Sequence, residues 1–308
     1  MTSVKPHSSY RHEAHLYRGE SEFVAGTVPF VEDGVAAGQP VMVAVHGSKL
    51  AALRSALGDA PDGVLLVDMT ELGRNPARII PGWRRFLDER GADHRPVRGV
   101  GEPIWAGRRP TEVAEAQLHE ALLNVAVDPD TPFWLRCPYD MAALTEAELA
   151  EAARSHPILV ESGALRGSRS YAGMQHVEDL FAGDLPEPDR PTDGIALPAA
   201  PTEVAGLISR HAEAAGLDPE RSWGLSLAIR EITAAAVPGC TLRVWVEPGA
   251  LVCEVRDADP LDDPLVGRVR PAAGEPDARG LWQANQVCDL VQVRSTRDGS
   301  TVRIVSWL

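Results

Sequence analysis

Short apolar runs alternate with longer amphipathic stretches from Glu13 to about Ala182. The runs AHLY (14–17), PVMVAV (40–45), VLLVDM (64–69), PVRGVG (96–101) leading into EPIW (102–105), FWLRCPYD (133–140) and ILVESG (158–163) have the length and apolar character of strands. The stretches between them carry apolar residues at helical spacing. They are SEFVAGTVPFVEDGVAAG, with Gly38 placed to cap its C-terminus; SKLAALRSAL; PARIIPGWRRFLDERG, with Pro76 in its first turn; PTEVAEAQLHEALLNVAV; and LTEAELAEAARSHP. In the last, Thr145 and Glu148 have the spacing of a capping box. Strands alternating with helices predict a parallel sheet covered on both faces.

The pattern breaks at 182–201, AGDLPEPDRPTDGIALPAAP. This Pro-rich polar segment reads as an interdomain linker. Beyond it two helices, PTEVAGLISRHAEAAG and PERSWGLSLAIREITAAAV, precede two strands, TLRVWVE and ALVCEVRD, joined by a turn at Pro248-Gly249. A polar loop then runs to Ala278. A short helix, RGLWQANQVCD, and a hairpin turning at Asp298-Gly299 complete the chain. The expected division is residues 1–181, α/β with a parallel sheet; a linker at 182–201; and 202–308, α+β with helices first and an antiparallel sheet after.

At 308 residues the chain exceeds one comfortable core, in keeping with two domains. The net charge of −14 opposes direct binding to nucleic acid, where phosphate neutralisation supplies much of the affinity. It equally opposes docking on an anionic membrane, and leaves a basic protein partner open. Cys137, Cys240, Cys253 and Cys288 are far apart, with no C-x-x-C pair, and read as reduced thiols. The N-terminal stretch has no apolar signal region. No apolar run approaches the roughly 18 residues that span a bilayer. The expectation is a cytoplasmic protein.

Chemistry in the second unit centres on LAIREITAAAV, where Glu231 lies beside an apolar helical stripe. A carboxylate there is costly unless paired. This helix, the strand ending in VRDAD, the long loop, ARGL opening a helix and the final hairpin resemble the GHKL (Bergerat-like) ATPase domain, most of all its anti-sigma-factor kinase branch, over about residues 199–308. The resemblance implies a Glu at 231 that positions water and an Asn four residues later that ligates Mg²⁺. Position 235 is Ala235, which has no oxygen to offer a metal that demands oxygen ligands. It also implies an adenine-binding acid at Asp257 and a glycine-bounded turn at Arg279-Gly280. Asp259 and Pro260 follow Asp257, and Ala278 precedes Arg279, where the pattern asks for glycines. Taken singly, Glu231 could equally form a local ion pair with Arg230 or Arg279, and Asp257 a strand-end turn. Nucleotide chemistry is therefore expected to be reduced or lost, with no cofactor assigned and ATP with Mg²⁺ disfavoured by Ala235.

The first unit has no G-x-x-x-x-G-K-[ST] phosphate loop. Polar and aromatic residues gather instead at its strand ends, where ligands bind in open parallel sheets. His15 and Tyr17 lie on the first strand. Glu102 and Trp105 follow PVRGVG. Cys137, Tyr139 and Asp140 end FWLRCPYD, and His119 and Glu120 lie on QLHEALLN. These nine are the expected sensory pocket. A metal site from His12, His15 and His119, or a nucleophilic triad of Cys137, His119 and Asp140, is less expected than core packing, surface and turn roles for these side chains. The stretches GRNPARIIPGWRRFLDERG, GEPIWAGR, QLHEALLN and CPYD resemble the MEDS sensory domain across about residues 10–180. That resemblance implies a RecA-like sheet without its phosphate loop, and sensing of small, hydrocarbon-derived molecules.

The combined expectation is a two-domain regulator. The first domain senses a small molecule or a partner, and the second binds a sigma factor or an anti-sigma antagonist. The alternatives are an active ATP-dependent serine kinase of such an antagonist, and a scaffold, with homodimerisation open.

Overall fold

The computed structural model describes residues 9–58, 63–91, 95–234, 236–272 and 276–308. The chain divides into two compact units, Met1–His176 and Val177–Leu308.

The first unit runs β1 (Arg11–Tyr17), α1 (Gly19–Ala36), β2 (Val41–Val45), α2 (Gly47–Leu57), β3 (Val64–Asp68), α3 (Met69–Leu72), a 3-10 turn (Pro76–Arg78), α4 (Ile79–Arg90), β4 (Val97–Gly101), α5 (Pro110–Ala126), β5 (Phe133–Asp140), α6 (Glu146–Ser155), β6 (Ile158–Glu161) and β7 (Ala164–Gly167). Its seven strands are ordered β3-β2-β4-β5-β1-β6-β7. All pairs are parallel except β6 with β7. The central strands are apolar because helices cover both their faces, and β2 is buried throughout. Gly38 has φ +67°, the left-handed value that ends α1 as expected. The Thr145–Glu148 capping box opens α6, with both reciprocal hydrogen bonds formed. Pro76 opens a 3-10 turn rather than α4 itself.

The helix α7 (Met174–Phe181) carries the chain into the second unit. This unit holds β8 (Asp193–Ala196), α8 (Pro201–Ala215), α9 (Pro219–Thr233), β9 (Thr241–Glu247), β10 (Ala250–Asp257), α10 (Pro276–Val287), β11 (Leu290–Thr296) and β12 (Gly299–Trp307). The antiparallel sheet has the order β11-β12-β10-β9-β8. Its inner face packs Leu242, Val244, Leu251, Cys253 and Ile304 with Ile208, Ile229 and Leu281 from the helices. Its outer face carries Trp245, Val252, Leu290 and Val305.

Segment 182–201 is not the free linker expected from its prolines. Residues 193–196 form edge strand β8 on β9. Leu197 is buried in the second core, and Glu187 is held by Arg243 at 3.0 Å and by Arg256. The prolines of the segment (Pro186, Pro188, Pro191, Pro198 and Pro201) all lie outside β8, so none removes a ladder donor.

No helix of the described residues is long and apolar enough to cross a membrane.

Candidate functional site

A cleft of about 200 Å³ opens at the carboxyl ends of β2, β4 and β5. His46, Ser48 and Lys49 enter it from the start of α2, Glu102 and Trp105 follow β4, and Asp140 ends β5. Glu102 is buried, ion-paired to Lys49, and accepts a hydrogen bond from the His46 backbone N–H at 3.0 Å. Burial raises the Glu102 pKa, and the Lys49 ammonium opposes that rise. The ammonium also lies 5.2 Å from the centre of the Tyr17 ring. His46 and Trp105 rings sit 5.6 Å apart at the rim. Asp140 accepts from the Ala142 N–H at 2.9 Å, fixing the turn out of β5. The cleft thus offers one buried anion, one cation and an aromatic wall, a set that suits a small polar molecule. It is smaller than the ~300–1,000 Å³ of drug-sized sites.

The nine residues expected in one pocket divide between two faces of the sheet. Strand side chains alternate. His15 and Tyr17 therefore face α1, whereas Cys137 and Tyr139 share the opposite face with His12. The His15 ring lies against Gly26, where a Cβ would stand 2.3 Å from it. Burial, and then Arg136, lower the His15 pKa to about 4, so it is neutral. The cleft gathers Glu102, Trp105 and Asp140, with Tyr17 under Lys49. His119 is buried on α5 and does not line the cleft.

Behind the sheet, under α5 and α6, lies a second polar cluster. Glu120 Oε2 stands 3.0 Å from both His12 Nε2 and His156 Nε2. Cys137 Sγ stands 3.4 Å from His12 Nε2. The His12 and His156 rings are 4.1 Å apart, and the Tyr139 ring meets His156 edge-on at 5.5 Å. Burial, and then His156, lower the His12 pKa. Burial, and then Glu120, push the Cys137 thiol well up, so it is no activated nucleophile. The triad of Cys137, His119 and Asp140 does not assemble, since Cys137 meets His12 rather than His119. The metal trio does not assemble either, since His12 and His15 point to opposite faces.

Sequence reading passed over His156, Lys49, His46 and Asn124. His12 and His15 are three residues apart in a strand, which already separates them. His156 stands at the end of a capped amphipathic helix, and no spacing ties it to Glu120. Only the parallel crossovers bring them together.

In the second unit, Glu231 pairs with Arg230 at 3.0 Å, one of the two partners weighed. Gly280 packs on α9, where a Cβ would stand 2.9 Å from the Glu231 carbonyl oxygen, so this glycine serves helix packing. Asp257 accepts from the Asp259 N–H at 2.9 Å as a turn residue. It lines an open depression that neither Glu231 nor Gly280 borders. Arg279 is exposed. Ala235 lies outside the described residues.

The first unit is an α/β domain with an open, mostly parallel sheet and a polar cleft at its carboxyl edge. Residues 11–157 match the family model described as MEDS: MEthanogen/methylotroph, DcmR Sensory domain. The match spans β1 through α6, takes in both the cleft and the buried cluster, and supports a signalling or regulatory role. It ends before the second unit. No curated protein matches the chain.

Proposed function

We propose that the chain is a two-domain signalling regulator. Its first unit binds a small polar molecule in the Lys49–Glu102 cleft. Its second unit is a GHKL-like output domain that docks on a sigma factor or an anti-sigma antagonist without ATP chemistry. The observation that carries the reading is the pairing of buried Glu102 with half-buried Lys49 at the carboxyl edge of the sheet, within the stretch that matches a sensory family. A buried charge pair is weak evidence of stability, and one that faces a cleft is well placed for recognition. The helices-then-antiparallel-sheet order of the second unit, and the order of Glu231, Asp257 and Gly280 within it, support the output assignment. Ligand binding would act by shifting the population of states that the output domain presents.

The test is thermal melting of the full chain with one- to four-carbon alcohols, amines and carboxylates. A ligand at 100 times its Kd stabilises by about 2.7 kcal/mol. The expected result is that one chemical class raises the melting midpoint of the wild type and not of Lys49→Met. Equal shifts in both proteins, or none in the wild type, would remove the reading.

A further inference from the structure

The buried cluster behind the sheet has the composition and the surroundings of a metal centre. His12, Glu120, Cys137 and His156 each bring a ligand atom within 4.8 Å of the other three. They come from four separate elements: β1, α5, β5 and the residue that ends α6. All four residues are buried, none more than 1% exposed.

The outer nitrogens of both histidines are already committed. His156 Nδ1 lies 2.8 Å from the Ala152 carbonyl oxygen, which can only accept, so Nδ1 carries the proton. His12 Nδ1 lies 3.1 Å from Asn124 Oδ1. The Asn124 amide nitrogen is used in donating to the Ser155 carbonyl at 2.8 Å, which leaves its oxygen to accept from His12. Both Nε2 lone pairs therefore point inward, at a carboxylate oxygen 3.0 Å from each. One proton on that oxygen or on an imidazole can bridge the carboxylate to only one of the two nitrogens. The other carboxylate oxygen, Glu120 Oε1, is buried with no hydrogen-bond partner. A dication would use every one of these atoms, and one thiolate with one carboxylate would neutralise it.

From this geometry we infer that His12, Glu120, Cys137 and His156 form a four-ligand zinc site that ties β1, β5, α5 and the end of α6 together. Two imidazoles, a thiolate and a carboxylate are zinc's ordinary ligands, and four protein ligands make a closed, structural site. Tetrahedral zinc sets its ligand atoms about 3.3–3.6 Å apart; three of the six separations here are 3.0–3.4 Å, and all are within 4.8 Å, so small side-chain shifts would close the site on a metal. Histidines whose second nitrogen donates to an amide or carbonyl oxygen are the usual outer shell of such a centre. On binding, the Cys137 thiol releases its proton to solvent and the thiolate ligates the metal. Because the cluster is buried, the metal is taken up as the chain folds. The site is separate from the Lys49–Glu102 cleft, so it stands or falls independently of the sensory reading.

The experiment is refolding of the full chain from guanidinium chloride under reducing conditions, with EDTA, with ZnCl₂ or with CoCl₂. The expected result is about one equivalent of zinc retained after gel filtration, and a higher melting midpoint than for the EDTA sample. With CoCl₂, thiolate-to-cobalt charge-transfer absorption and tetrahedral ligand-field bands should appear. Cys137→Ser should lose the charge-transfer band. Asn124→Ala, which leaves every ligand in place, should weaken zinc binding about 10–100-fold. If Cys137→Ser fails to fold, the wild-type cobalt spectrum and Asn124→Ala decide. Refolding to the same midpoint with less than a tenth of an equivalent of metal would overturn the inference and leave a proton-linked core network. So would a charge-transfer band that survives Cys137→Ser, or unchanged zinc affinity in Asn124→Ala.

Discussion

Glu254 has no exposed surface, and three arginines converge on it. Arg256 Nε and Arg303 Nε each lie 2.8 Å from its carboxylate, and Arg243 Nε lies at 3.1 Å. Burial acts to raise the Glu254 pKa, but hydrogen bonds from Arg243 and Arg303 outweigh it and hold the group below the ordinary carboxylate range. A carboxyl whose folded pKa is depressed contributes stability above its unfolded pKa, and that contribution is lost as pH falls through the folded value. The second unit should therefore weaken as pH drops below about 4. Glu254→Gln leaves three guanidinium groups around a neutral amide. It should cost about 3–5 kcal/mol and flatten the acid side of the pH–stability curve, as measured by denaturant unfolding from pH 3 to 7. The loss of a side-chain oxygen at Ala235 predicts a different absence. Calorimetric titration of the full chain with Mg-ATP should give no micromolar binding. A Kd near 1 μM, about −8 kcal/mol, would favour the kinase alternative.

The reciprocal cap of α6 can be tested on its own. Thr145→Ala removes the hydroxyl that accepts from the Glu148 N–H at 3.3 Å, and should lower the stability of the first unit by about 1 kcal/mol in thermal melting. A change within 0.2 kcal/mol would mean that α6 is held by its tertiary packing alone. This cap, the left-handed Gly38 and the alternation of strands and helices were legible in the sequence because each rests on local chemistry. Side-chain alternation was equally available, yet grouping residues by strand end set His15 beside Tyr139 when a strand period of two parts them. Two other features were hidden for nonlocal reasons. β8 forms from Asp193–Ala196 only because β9 supplies a partner edge, and nothing in a Pro-rich stretch announces that partner. The meeting of His156 with Glu120 depends on α5 and α6 packing on one face of the sheet, a consequence of crossover handedness rather than of spacing along the chain.

At the scale of the whole molecule, each of the two units builds its own sheet and core, and the chemistry is concentrated in the first. Its sheet carries a polar cleft at the carboxyl edge and a polar cluster buried behind it. Alternation along β1 and β5 separates the two, and only the cleft is open to a diffusing ligand. The central claim is that a small molecule occupies this cleft, and Trp105 reports on it directly. Its indole N–H resonance can be assigned by its disappearance in Trp105→Phe and followed by NMR as the stabilising compound is titrated into the full chain. The account predicts a saturable shift of that resonance in the wild type, and none in Lys49→Met. A compound that stabilises the chain while leaving the Trp105 resonance in place would bind elsewhere, and would contradict the account.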